Sequence, residues 1–310
     1  MCTAGGRARA SAEDDQLDYP VTVRAALLES LYSGHLFFVA VGVFATVIAV
    51  DMARLLDQRA VRRRVASVTI LLAFALAIFA GPPLPLAVAS GASLLAAAYV
   101  FAGFGDRQRR RILGAVAIAA CVVAVGFELP HHVRRNRIPR PSQIIVIGDS
   151  LSSGGFGEKF TWPELLARGI AVPVANLSLA SSTASMALER QLPALPHLDQ
   201  NSCVIVAIGG NDMLDATDAH RFENDFGQLV ARVKRAGNPQ VVIVEIPLLP
   251  GRWAYGAVQR RVARKYGCTL LPKRIIAHTL LGEANTSDGI HLTQRGHGEL
   301  ARGVQAHLGW

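Results

Sequence analysis

The apolar positions divide this chain into two halves with different periods. Within residues 31–129 they form long runs: 31–50, 65–80 and 84–104 carry no formal charge, and 112–129 carries only Glu128 near its end. The runs hold 20, 16, 21 and 18 residues. A helix rises about 1.5 Å per residue, so roughly 20 residues cross a hydrocarbon core of about 30 Å. The pattern predicts about four membrane-spanning helices, with Gly81-Pro82-Pro83 closing a tight hairpin between the second and third. Flanking arginines can reach the interface from the shorter runs. Burying the same four runs inside a water-soluble all-α domain would leave almost no polar face.

A second pattern starts at Gln143. Ile144-Ile145-Val146-Ile147 is a short apolar run that ends in Gly148-Asp149-Ser150, and residues 203–208 and 241–245 repeat the design. Residues 171–176 and 269–271 are weaker strand candidates. Helical spacing appears near 219–235, 254–266 and 293–307. Strands that alternate with helices predict an α/β domain with a parallel sheet covered on both faces. The resulting division is an N-terminal tail (1–30), a helical membrane region (31–129), a stiff basic linker containing Pro139 and Pro141 (130–142) and an α/β domain (143–310).

Composition agrees with a membrane protein that carries a folded domain: 51% of the 310 residues are hydrophobic and 18% charged, and the mean hydropathy is +0.31. The net charge of +9 resembles a nucleic-acid signal until the charges are placed. Residues 1–142 contain 16 Arg, no Lys and 9 acids, a net of +7, and residues 143–310 contribute +2. The excess flanks the apolar runs and is not interleaved with aromatic residues, so no nucleic-acid partner is expected. Five Arg lie in 51–64 and four in 105–111, against none in 81–83. Positive loops stay in the cytoplasm. Four crossings then put the tail and everything after residue 129 on the extracytoplasmic side of the cell (inner) membrane, although Arg134, Arg135, Arg137 and Arg140 pull the other way. Glu13, Asp14, Asp15 and Asp18 precede the first run and no cleavage pattern follows it, so the anchor is expected to be retained; no apolar stretch precedes Cys2.

In parallel sheets, sites form at the carboxyl ends of the strands. Ser150 follows the first strand, Asn211 and Asp212 follow the third within Gly209-Gly210-Asn211-Asp212, and Asp288 and His291 precede the last helix. These residue types suit acyl transfer. A serine hydroxyl needs an imidazole to take its proton as it attacks, which assigns Ser150 as nucleophile and His291 as base. Asp288, three residues earlier, would fix the imidazole tautomer. The Asn211 amide and the Ser150 N–H are natural donors for the oxyanion.

Those segments resemble the SGNH, or GDSL, hydrolase family over about residues 142–308. The first family block is Gly148-Asp149-Ser150-Leu151-Ser152-Ser153-Gly154, the third Gly209-Gly210-Asn211-Asp212, and the fifth Asp288-Gly289-Ile290-His291-Leu292, in family order. Trp162-Pro163-Glu164-Leu165-Leu166 is similar to the bacterial thioesterase I and arylesterase branch. The resemblance implies a flavodoxin-like three-layer fold, the triad Ser150, His291 and Asp288, and neither metal nor organic cofactor. It also implies a third oxyanion donor from a glycine in the second block. Here Asn176-Leu177-Ser178-Leu179-Ala180-Ser181 puts Ser181 in that place, where a positive φ would be costly.

The expected activity is a membrane-anchored serine esterase that hydrolyses carboxylic (acyl or acetyl) esters, with an acyl ester and the lipid bilayer as partners. One alternative is an acyltransferase or deacylase acting on a cell-envelope glycan or lipid, and another is a non-catalytic membrane ligand-binding protein. A phosphate site in the 148–157 loop is not expected, because the dinucleotide and Walker patterns are absent. Phe156, Phe160, Trp162, Trp253 and Tyr255 are candidates to line an acyl pocket. His131, His132, His220, His278, His297 and His307 have no ligand spacing and are read as surface or linker residues. Cys121, Cys203 and Cys268 are read as small buried thiols, since the strand order implied by the resemblance keeps the third and fifth strands apart.

Overall fold

The computed structural model describes residues 23–53, 68–70, 72–73, 75–77, 80, 82–84, 86–101, 107–133, 136–155 and 157–310. Helices α1 (Val23–Ser33), α2 (His35–Ala53), α3 (Leu86–Phe101) and α4 (Arg107–Val133) precede the α/β half. Among the described residues, two helical segments are long and apolar enough to cross a membrane, His35–Ala53 and Arg111–Val133. Val88–Tyr99 is a shorter apolar helix, and the described residues between 68 and 77 are also helical. The first apolar run does not form one helix from residue 31. It breaks at Gly34, whose φ of 88° is left-handed, so residues 23–30, expected as tail, belong to a separate helix α1. The last helix passes Pro130 and runs to Val133, four residues beyond the expected span. Apolar packing joins these helices through Phe44, Ile48 and Tyr99, and the Tyr99 hydroxyl donates to Asp51 Oδ2 at 2.7 Å, tying the end of α2 to α3.

The second half contains β1 (Gln143–Gly148), α5 (Trp162–Ile170), β2 (Val174–Asn176), β3 (Ser202–Ala207), α6 (Ala219–Arg235), β4 (Gln240–Val244), α7 (Trp253–Lys265), β5 (Thr269–Leu271), α8 (Arg274–Leu281) and α9 (Gln294–Leu308). All five strands are parallel, in the order β2-β1-β3-β4-β5. Side chains alternate across the sheet. Ile145, Ile147, Val204 and Val206 pack on one face with Phe222, Phe226 and Val258 of α6 and α7. Ile144, Val146, Cys203 and Ile205 pack on the other with Trp162, Leu166, Leu300 and Val304 of α5 and α9. Because both faces are covered, each strand is apolar at nearly every position, which is why the strands read as unbroken runs. The order reverses between β1 and β3, and the crevice at such a switch point is where ligands bind. Cys203 and Cys268 are free, with β4 between their strands.

Candidate active site

Gly148 ends β1 inside a polar clamp. The Gln191 amide accepts from the Gly148 N–H at 3.0 Å and donates to its carbonyl at 2.9 Å. A Cβ on Gly148 would lie 2.7 Å from Ser178 Oγ and 2.8 Å from Ser152, so only glycine fits. Asp149 then caps a one-turn helix (Ser150–Ser153) by accepting from the Leu151 N–H at 3.0 Å. The Ser150 N–H therefore belongs to a first turn, where amides have no intrahelical acceptor. Asp149 itself is buried, and burial pushes its carboxyl up to about 6, with the Leu151 N–H opposing and nearby Asp212 adding to the rise.

Two loops meet this turn. After β2, the Asn176 amide donates to the Ser152 carbonyl at 2.7 Å, and the Leu179 N–H donates to the Gly148 carbonyl at 3.2 Å. The Ser182 N–H closes a turn onto the Leu179 carbonyl. Ser181 sits in that turn with φ at 58°, the left-handed conformation that favours glycine. It is exposed and does not line the cavity described below. After β3, the Asn211 amide donates to the Ser182 carbonyl at 3.0 Å, and the buried Asp212 carboxyl accepts from the Ala184 N–H at 3.0 Å. Burial pushes Asp212 up to about 6. Gln191 stands at the end of a π-helical turn (Ala187–Gln191) and also donates to Ser182 Oγ. No sequence motif announces Gln191. The sequence offered only a glutamine in a locally amphipathic stretch.

The third loop carries Asp288 and His291. Asp288 Oδ1 accepts from the Ile290 and His291 backbone N–H groups at 3.0 and 2.8 Å, and Oδ2 lies 2.6 Å from His291 Nδ1. The His291 N–H, then its imidazole and the Ile290 N–H, hold the Asp288 carboxyl well below the usual carboxylate range. With Asp288 ionised, Nδ1 is the donor and Nε2 is left as the basic nitrogen.

Ser150, Asn211, Gly289 and Ile290 border one cavity of about 450 Å³. Its walls are mainly apolar, among them Met213, Leu249, Ile276 and Leu280, together with Leu28 and Tyr32 from α1. Of the aromatic candidates, Trp162 lines it, and its indole N–H donates to Ser152 Oγ at 3.1 Å. The others are used differently. Phe160 lies under the Arg168 guanidinium, Trp253 borders a separate cavity among the N-terminal helices, and Tyr255 packs on Phe222 and donates to the Thr217 carbonyl. Phe156 lies outside the described residues.

Two histidines read as surface residues are buried, His297 at 1% and His307 at 4% exposure. His297 Nδ1 accepts from the Trp162 N–H at 3.1 Å, and burial lowers its pKa. Amphipathic helix α9 turns both inward, and a histidine with a partner is tolerated there. His278 is exposed and pairs with Glu29 at 2.9 Å. Among the described residues, no group of three or more His, Cys, Asp or Glu is placed to hold a metal ion.

Residues 146–298 match the profile of the GDSL-like Lipase/Acylhydrolase family. Thioesterase 1/protease 1/lysophospholipase L1 of Escherichia coli (strain K12) is 31% identical over 155 residues, which are 48% of this chain and 74% of that protein. Esterase TesA of Pseudomonas aeruginosa is 28% identical over 159 residues, 48% of this chain and 78% of that protein. Among solved structures, the psychrotrophic esterase EstA from Pseudoalteromonas sp. aligns with a TM-score of 0.49 at 18% identity, covering 54% of this chain and 97% of that one.

Proposed function

This chain belongs to the GDSL-like lipase/acylhydrolase family and has esterase and thioesterase relatives, and we propose that it is a membrane-anchored serine esterase whose triad is Ser150, His291 and Asp288. The observation that carries the reading is the 2.6 Å contact of Asp288 Oδ2 with His291 Nδ1, made in a loop whose neighbours Gly289 and Ile290 border the same cavity as Ser150.

In the proposed cycle, Ser150 Oγ attacks the ester carbonyl while His291 Nε2 takes its proton. Asp288 fixes the tautomer and stabilises the imidazolium. The negative oxygen of the tetrahedral intermediate receives hydrogen bonds from the Ser150 N–H and the Asn211 amide, the two expected donors that border the cavity. Collapse of the intermediate breaks the C–O bond, and the alcohol leaves with the proton held by His291. Water then attacks the acyl-enzyme by the same route in reverse, releasing the acid and restoring Ser150.

Membrane placement is supported by the two long apolar helices. It is also supported by the side on which the catalytic half packs. Glu128 near the end of α4 bonds Arg260, a Cβ on Gly34 just before α2 would lie 3.0 Å from Lys273 Cε, and a Cβ on Gly256 would lie 3.3 Å from Pro83 Cγ. Helix α4 has 27 residues, about 40 Å, and its arginines cluster at the opposite end. With positive charge on the cytoplasmic side, this arrangement supports a reading in which the catalytic domain lies on the extracytoplasmic side of a chain with about four spans.

The test is labelling of the full-length protein with a fluorophosphonate probe, together with hydrolysis of p-nitrophenyl esters. Labelling that Ser150→Ala abolishes supports the reading, and a parent protein that takes no label and cleaves no ester overturns it in favour of a ligand-binding role. Adding a hydroxyl acceptor to the assay separates water from an alcohol as the second substrate: a new acylated product marks a transferase.

A further inference from the structure

Helix α1 lies outside residues 146–298, which match the family, yet Leu28 and Tyr32 border the cavity that begins at Ser150. The helix is held there at its middle and at its C-terminal end. Glu29 pairs with His278 of α8 at 2.9 Å. At the C-terminal end the chain turns at Gly34, where an added Cβ would lie 3.0 Å from Lys273 Cε, just before α8. The next residue, His35, begins the first long apolar helix. Ile276, Ala277 and Leu280 of α8, the helix on which α1 packs, line the same cavity, as do Ser150 and Asn211.

A cavity of about 450 Å³ is within the size of ordinary small-molecule sites. Away from the polar groups at Ser150 and Asn211 its lining is mainly apolar and suits a hydrocarbon, whereas a sugar or a charged group would lose most of its hydrogen bonds to water on entry. We propose that α1 forms the outer wall of an acyl-chain channel, with Leu28 and Tyr32 setting the chain length accepted, so that the preferred substrates are esters of medium- to long-chain fatty acids. This rests on the esterase reading above and adds to it a specificity element supplied by the membrane anchor. In apolar pockets one methylene is worth roughly 10-fold or more in discrimination, so a change of bulk at either position is expected to be read directly in chain-length preference.

The experiment uses the full-length protein in detergent and compares kcat/KM for p-nitrophenyl butyrate, dodecanoate and hexadecanoate, with fluorophosphonate labelling of Ser150 counting competent enzyme in each preparation. The parent is expected to prefer dodecanoate to butyrate. Leu28→Trp, which fills the channel, should lower that ratio about tenfold, and Tyr32→Ala, which widens it, should raise hexadecanoate relative to dodecanoate by a similar factor. The two substitutions act in opposite directions, so if one variant fails to fold the other still decides. A parent that prefers butyrate, or labelled variants whose ratios stay within about twofold of the parent's, would overturn the role of α1. A parent that takes no label and cleaves none of the three esters overturns the esterase reading itself, a result distinct from either.

Discussion

Arg260 holds Glu128 with two hydrogen bonds, Nη1 to Oε2 at 2.6 Å and Nη2 to Oε1 at 3.0 Å, while its Nε donates to Glu245 Oε1 at 2.6 Å. One guanidinium of α7 thereby joins the end of α4 to the residue that follows β4. The Lys273 N–H completes the cluster by donating to Glu245 Oε2 at 3.2 Å. Glu128 is 0% and Arg260 5% exposed, so water does not replace a lost partner. Removing one member of such a buried pair costs about 3–5 kcal/mol, because the other charge stays buried. Glu128→Ala is expected to lower the denaturation midpoint of the full-length protein in detergent and to expose residues 134–142 to protease, and Glu128→Gln to do so less. Unchanged midpoint and protease pattern would show that the pair does not dock the two halves.

His291→Ala and Asp288→Asn test the triad one member at a time. Ser150→Ala and His291→Ala should each reduce kcat on p-nitrophenyl acetate on the order of 10³-fold or more, and Asp288→Asn on the order of 10⁴-fold, through the wrong imidazole tautomer. Because hydrogen bonds from the His291 N–H and imidazole hold Asp288 below the usual carboxylate range, its ionised form persists as pH falls below about 4. The depressed-pKa sign applies: its contribution is complete above the unfolded value and is lost only as pH passes the lower folded one. An acid limb of kcat/KM that Asp288→Asn leaves in place would agree with this assignment.

Ser181 holds φ at 58°, a conformation costing a non-glycine residue about 1–2 kcal/mol. Glycine would remove that cost and add roughly 0.5–1 kcal/mol of chain entropy in the unfolded state. Ser181→Gly is therefore expected to stabilise the protein by up to about 1 kcal/mol and, since the backbone N–H is kept, to retain kcat. Chemical denaturation and ester hydrolysis on the same sample check both; a variant less stable than the parent would mean that the serine side chain contributes more than its backbone conformation costs.

His297 must remain neutral to accept from the Trp162 N–H, and burial lowers its pKa. In the unfolded chain a histidine takes up its proton near pH 6.5. The unfolded state then binds more protons than the native state, so this group's effect is a stability that falls as pH drops below about 6.5. His297→Gln, whose side-chain carbonyl can still accept, should flatten the stability profile between pH 7 and 5. Parallel profiles for the two proteins would count against it.

Much of the site was legible along the chain because its chemistry sits where strands stop. Ser150 and Asn211 follow unbroken apolar runs, and Asp288 and His291 lie close enough in sequence for their contact to be local. The aromatic candidates fared differently. Trp162 reached the cavity, but Phe160 and Tyr255 found other partners, since an aromatic side chain carries no signal for which of two adjacent surfaces it covers. His297 and His307 were misread for the same reason: helical spacing told that α9 has a buried face, not that histidine would be accepted on it.

The order of residues by itself determined the parallel sheet and the places after its strands where Ser150 and Asn211 fall, because alternation, run length and turn chemistry are set by near neighbours. Only the tertiary structure decided that Gln191 clamps Gly148, that Arg260 reaches Glu128 from 132 positions away, that Ser181 turns left-handed, and that Leu28 and Tyr32 of α1 border the cavity beside Ser150. These depend on which surfaces the topology presses together, and a buried polar or apolar side chain takes whatever partner that packing supplies.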